Sequence, residues 1–250
     1  MANTSEVPRH RTPAWAFLVG AVILGLGLAG AGFLIGRGFE RGRSADRYVT
    51  VKGLAESLVT ADLAVWPLRI TATGGDLARV QEQIDRDLST VTEFLAEQEI
   101  EPEAIQPQRV EVTDLLAQPY RPEGVGDDRF IVAQTIIVRT EQVDRVARLN
   151  QQTGELVKRG VVLADTGGPT YLFTRLNEIK PEMLAEATRN ARLSAEQFAA
   201  DSGSSIAEIR RASQGLFEIL PRDPAPGSME ANQVDKKVRV VSTIEYRLVD

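Results

Sequence analysis

The sequence predicts an α+β protein carried on one N-terminal membrane helix. Three observations predict it. An uncharged apolar run fills residues 14–36. Several segments alternate apolar and polar residues over lengths that suit antiparallel strands. Helix-period segments interrupt them in irregular order, not in the strict strand–helix alternation of a parallel sheet. The predicted order after the membrane helix is β-β-α-β-β-α-β-α-β-β, with about three helices packed on long antiparallel strands. We divide the chain into a tail (1–13), a transmembrane anchor (14–36), a polar linker (37–46) and one α+β domain (47–250).

The anchor reads AWAFLVGAVILGLGLAGAGFLIG, 23 residues without a charge. At ~1.5 Å per residue it spans a ~30 Å hydrocarbon core. Trp15 sits where an amphipathic ring suits the interface, and Arg11 and Arg37 bracket the segment. Ala29-Gly30-Ala31 resembles a small-residue cleavage site. The apolar run continues past it to Ile35, which favours an uncleaved anchor. Arg37, Arg41, Arg43 and Arg47 follow the run closely. Counted alone, they would hold the C-terminal domain in the cytoplasm.

In the domain, Tyr48 to Lys52 enters as a strand. Val59, Ala61, Leu63 and Val65 share one face, and then the phase flips to Trp66, Leu68, Ile70 and Ala72. Pro67 at the flip predicts a bulge or bend in one long strand near an edge. Gly74-Gly75-Asp76 is a turn with an N-cap, opening a helix whose apolar residues run from Leu77 to Leu95. Val110 and Val112 belong to a strand. Phe130 to Val138 is apolar on both faces, which predicts a central strand. A helix is expected at about 141–158 and a strand at 171–176. Pro181 marks the start of the next helix, with Ala187, Ala191 and Ala195 on one face and Gly203 ending it. A strand at about 207–219 and a long amphipathic one from Val238 to Leu248 close the domain.

Composition excludes much chemistry. There is no Cys, and the only His is His10, in the tail. The domain therefore has no thiolate, no imidazole and no Ser-His-Asp triad. The net charge of −6 is uneven, and the part beyond residue 43 is the more acidic. That argues against nucleic acid as a partner.

The candidate site residues are few. Glu56 and Asp62 could form a carboxylate pair for acid–base work, or face solvent and shape a hairpin. Trp66, Tyr120 and Tyr171 are the candidate ligand or interface rings, with packing the commoner fate of such a Trp. Lys180, Lys236 and Lys237 would act as bases only if buried; their polar neighbours suit solvated or interfacial roles. Arg210-Arg211 reads as a strand-edge or interface pair, not a ligand clamp. The Gly74-Gly75 turn lacks phosphate-loop spacing. No cofactor and no metal site are expected.

The stretch VTVKGLAESLVTADLAVWPLRITATGGDLARV resembles the entry of the SIMPL-domain family of bacterial envelope proteins. YLFTRLNEIKPEMLAEATRNARLSAEQFAADSGSSIAEIRRASQG and KKVRVVSTIEYRL are similar to that family's Ala-rich helix with its following turn, and to its last strand. The resemblance covers about residues 48–249. It departs at Ser204-Ser205, where a second Gly is often expected near Ile206. It implies a membrane-anchored or periplasmic α+β protein without established catalysis. Some members form ring-like homo-oligomers and some are linked to envelope stress. On this basis we expect a non-enzymatic scaffold, single-pass in the inner membrane with its domain in the periplasm, homo-oligomeric through its long final strand and bent early strand. The alternatives are a small-molecule or glycan binding module using Trp66, Tyr120 and Tyr171, and a His-free hydrolase using Glu56, Asp62 or Lys180.

Overall fold

A computed structural model describes residues 14–44, 47–118, 128–164 and 166–249; within the first helix, side chains are described for residue 19 and residues 23–37. The fold is α+β with antiparallel sheets. Helix α1 (Ala14–Ser44) is followed by strands β1 (Tyr48–Thr60) and β2 (Leu63–Gly74), helix α2 (Leu77–Glu97), and strands β3 (Ile105–Asp114) and β4 (Phe130–Thr140). Then come helices α3 (Val143–Asn150) and α4 (Gly154–Lys158), short strands β5 (Leu163–Ala164) and β6 (Thr170–Leu172), and helix α5 (Leu176–Asp201). Strands β7 (Ser205–Gln214), β8 (Glu218–Pro221) and β9 (Asp235–Val249) complete the chain.

The element order follows the expected one closely. The helix expected at 141–158 is two helices, because the chain turns at residues 151–153 before Gly154. The expected linker is helical as far as Ser44. Among the described residues, no helix is long and apolar enough to cross a membrane.

Two sheets form, in the order β1-β9-β7 with β8 also on β9, and β3-β4-β2-β5 with β6 also on β2. By backbone contacts the chain divides into two units. One comprises residues up to Val51 with Ser194–Ala212 and Ile244–Asp250; the other comprises Lys52–Leu193 and Ser213–Thr243.

The larger unit holds the main core. The even-numbered face of β2 buries Ala64, Trp66, Leu68 and Ile70, and β4 buries Val132, Ile136 and Val138 beside them. Helix α2 lays Val80, Ile84, Val91 and Leu95 on that face, and α3 adds Val143, Val146 and Leu149. Burying each such side chain fully stabilises the fold by roughly 1.5–3 kcal/mol. Asp76 begins α2 as expected, its carboxylate accepting from the Arg79 N–H at 3.0 Å. On the opposite face of the sheet, Arg69 of β2 reaches Glu111 of β3 at 2.7 Å and ties the outer strand inward. β4 is central as expected, although Ile131 and Ile137 on that opposite face are only half-buried.

The expected bulge at Pro67 is absent. β2 pairs with β4 without interruption from Ala64↔Thr140 to Gly74↔Phe130, with Pro67 opposite Ile137. The flip in hydrophobic phase comes from the chain leaving β1 and entering β2 around Ala61-Asp62. Pro67 costs no ladder bond, for a geometric reason. Its carbonyl points away from β4 and accepts from the Thr166 hydroxyl at 2.7 Å. On that side β6 pairs at Leu63–Val65 and β5 at Arg69–Ile70, so Pro67 falls in the gap between two short strands. A residue without an N–H is tolerated there.

This pairing also corrects the edges. β9 lies between β1 and β7, and β2 between β4 and the pair β5/β6. Neither is a free edge. β1, the first part of the expected bent strand, stands at the end of its sheet, and so does β3, which carries Pro107 and a register shift between Pro107 and Val110, both of which discourage edge pairing.

In the larger unit, α5 approaches β1 closely at small residues. A Cβ added to Gly53 would stand 1.8 Å from the Ala187 carbonyl oxygen and 2.8 Å from the Ala191 Cβ. Glycine opposite alanine is what permits this close approach. Ala55, Met183, Val238 and Val240 are buried around it. α5 starts five residues before Pro181, not at it. It ends before Gly203 at φ 68°, as expected of a C-terminal glycine.

Candidate functional site

Trp66 and Tyr171 are buried, 1% and 5% exposed, in the same hydrophobic cluster. Tyr171 pairs opposite Ala64, next to Trp66 on the same face of β2. Burial pushes the Tyr171 phenol up from its ordinary value. Neither ring is presented to solvent, so both are packing residues and their candidacy for stacking on a ligand falls. Tyr120 lies outside the described residues.

Glu56 and Asp62 do not form a pair. Glu56 sits on the outer face of β1, 3.6 Å from Lys237 and 4.0 Å from Arg239. Asp62 lies between β1 and β2 and looks elsewhere. Its carboxylate accepts from the Thr174 N–H at 2.9 and 3.1 Å and from the Thr174 hydroxyl at 2.9 Å. It also accepts from the Arg175 backbone N–H and from Arg175 Nε, each at 3.1 Å. Thr174 and Arg175 lead directly into α5. Burial raises the Asp62 carboxyl, but the hydrogen bonds from Thr174 and Arg175 outweigh it and the net shift is downward. A carboxylate held ionised by four donor groups is a clamp and a poor proton acceptor.

Beside Asp62 opens a cleft of about 580 Å³, lined by Thr60, Leu63, Arg139, Glu141, Thr174 and Arg175. A second hollow of about 530 Å³ shares Leu63, Arg139 and Glu141 with it. The cleft combines two guanidinium groups with hydroxyl groups and one further carboxylate. Such a set can hold an anion by charge-assisted hydrogen bonds. Of its two acids, Asp62 and Glu141, Asp62 is taken up by its donors on Thr174 and Arg175.

Lys236 is the residue that sequence reasoning placed wrongly. It is 0% exposed, on the inward face of β9. Its ammonium donates to the Glu230 carbonyl at 2.7 Å and to the Glu230 carboxylate. Position 236 shares the phase of Val238 and Val240, and that phase was the available signal. Lys237, on the opposite phase, points outward as expected. Lys180 donates to Asn177 Oδ1 at 2.7 Å and lies over the Phe217 ring. Among the described residues, no group of three or more His, Cys, Asp or Glu side chains could hold a metal ion.

An α+β domain of antiparallel sheets, in which Asp62 and Lys236 join segments of the fold, defines the class. The chain belongs to the SIMPL family, described as protein of unknown function (DUF541), whose model matches residues 49–246. Among curated proteins none matches the chain.

Proposed function

We propose that this SIMPL protein is a non-enzymatic scaffold or interaction protein of the cell envelope. It is anchored by residues 14–36, exposes its acidic domain to the periplasm and acts as a homo-oligomer, with a link to envelope stress. The observation that carries the anchor is α1 itself. Val19, Ile23, Leu24, Leu26, Leu28, Phe33, Leu34 and Ile35 are 49–70% exposed. A helix apolar on all sides needs an apolar surrounding, and a bilayer supplies one. The uncharged run in the sequence is longer than the described side chains and reaches spanning length.

Support for a non-catalytic role comes from the acids and lysines singled out above. Asp62 and Lys236 join segments of the fold, and Glu56 and Lys180 each lie against their own separate neighbours. Support for self-association comes from exposed apolar side chains on the domain, among them Leu58, Leu193 and Leu216, exposed by 63%, 63% and 87%.

Alkaline phosphatase fused to the C-terminus, read in intact cells, tests the compartment. Activity is expected, and an inactive fusion present at normal level rejects a periplasmic domain. Light scattering of the detergent-solubilised full chain, corrected for bound detergent, tests assembly. A protein mass of one 27.4 kDa chain rejects the oligomer.

A further inference from the structure

We infer that the smaller unit carries a headgroup-binding collar, with Arg47, Tyr48, Arg210 and Arg247 contacting anionic lipid of the leaflet from which α1 emerges. This rests on the reading of residues 14–36 as a membrane anchor.

Within that unit, one end of the sheet is drawn together by its own hydrogen bonds. The Leu248 N–H donates to the Arg47 carbonyl at 3.0 Å. Arg47 donates to the Ser204 hydroxyl at 3.0 Å. The Arg210 guanidinium lies 4.5 Å from the centre of the Tyr48 ring. Arg247 meets Glu208 at 3.0 Å. Three strands thus place arginines and one 47%-exposed tyrosine at the start of β1. Arginine with an amphipathic ring is the composition of a membrane interface.

Chain continuity brings this end to the membrane surface. From Gly36 to Ser44 the helix rises about 12 Å. The headgroup layer takes up roughly 5–7 Å of that. Tyr48 follows Ser44 by four residues, at most about 14 Å of chain. These lengths hold Tyr48 within about 20 Å of the headgroup layer, and the collar places its arginines at the near end of that range, inside the screening distance of about 8 Å. In charge, too, this region differs from the rest. Counted over the sequence of the whole unit, nine arginines stand against eight acidic residues, whereas the chain as a whole has a net charge of −6. Arginines that follow an apolar run would by count hold the domain in the cytoplasm; as headgroup ligands they have work to do on whichever side the domain lies.

The test places the full chain in nanodiscs of phosphatidylcholine, with and without phosphatidylglycerol, and follows amide hydrogen exchange. With phosphatidylglycerol, exchange in residues 205–211 and 245–249 should slow about fivefold or more, the gain expected for one basic side chain at an anionic surface. High salt and the double variant Arg210→Gln/Arg247→Gln should remove the difference; Arg210→Lys/Arg247→Lys should keep most of it. Residues 132–138 report whether each variant is folded, and if the Gln variant is not, the salt dependence of the wild type decides. Equal exchange in the two membranes, or a folded Gln variant that keeps the full difference, overturns the collar while leaving the anchor standing. Release of the full chain from membranes by alkaline carbonate overturns the anchor and the collar together.

Discussion

Asp62 and Thr174 are joined by three hydrogen bonds of 2.9–3.1 Å, although 112 residues separate them in the chain. The contact ties the β1–β2 turn to the segment that starts α5. Removing the carboxylate by Asp62→Ala leaves several donors without their acceptor, and should cost about 2–3 kcal/mol. Chemical denaturation of the full chain in detergent, read by circular dichroism, measures it. A cost near zero would mean that water replaces the clamp.

The same clamp has a pH signature. The folded-state pKa of Asp62 lies below its ordinary value of 3.8. Its contribution to stability is therefore complete above the unfolded value and is lost as pH falls through the depressed folded value. Asp62→Asn should flatten the acid limb of the stability profile. A variant profile parallel to the wild type below pH ~4 would contradict this.

Asp87 should behave with the opposite sign. It is 5% exposed on α2, with the Gln83 amide 2.7 Å away. Burial pushes its carboxyl up, and the bond from Gln83 and the charge of Arg86 offset this only in part. The ionised form is thus disfavoured in the folded state, and the penalty is felt above the folded pKa. Asp87→Asn should stabilise the protein by about 1 kcal/mol at neutral pH, and the gain should vanish in acid. A loss of stability at neutral pH would show that the ionised group is needed.

Gly53→Ala should destabilise by about 3 kcal/mol, at the upper end of the usual cost of overpacking. The added methyl group would meet backbone of α5, not the movable end of a side chain. Gly154→Ala, where a Cβ meets nothing within 4 Å, is the control and should be neutral or slightly stabilising. Equal midpoints for the two variants would refute the close contact.

Lys236 and Glu230 should respond unequally. Glu230→Ala leaves a buried ammonium with one carbonyl partner and should cost about 3 kcal/mol. Lys236→Met removes the buried charge and leaves Glu230, whose side chain is 31% exposed, to water. It should cost clearly less, and the reverse order in thermal melts would show that the lysine stem is what matters.

Much of the fold was legible because it rests on periodicity. Val80, Ile84, Val91 and Leu95 recur at helical spacing, and Val238, Val240 and Ile244 alternate, whatever they pack against. The β1–β2 boundary was misread because a change of phase looks alike whether a strand bulges or ends. The register beside Pro67 decided between them. The roles of the candidate site residues were the least legible, since a carboxylate's role depends on which donors reach it.

By itself the sequence determined the α+β class, the order of the major elements, the 23-residue apolar run and the absence of thiol and imidazole chemistry from the domain. Each follows from composition or from patterns within about twenty residues. Only the tertiary structure decided that Asp62 is a clamp, that Trp66 and Tyr171 are core, that Lys236 is buried and that β9 is no edge. It also decided where α5 begins, because Asp62 organises the chain at Thr174 and Arg175 ahead of the local signal at Pro181. These outcomes depend on partners distant in sequence, whose positions are set when the sheets pair and the helices pack.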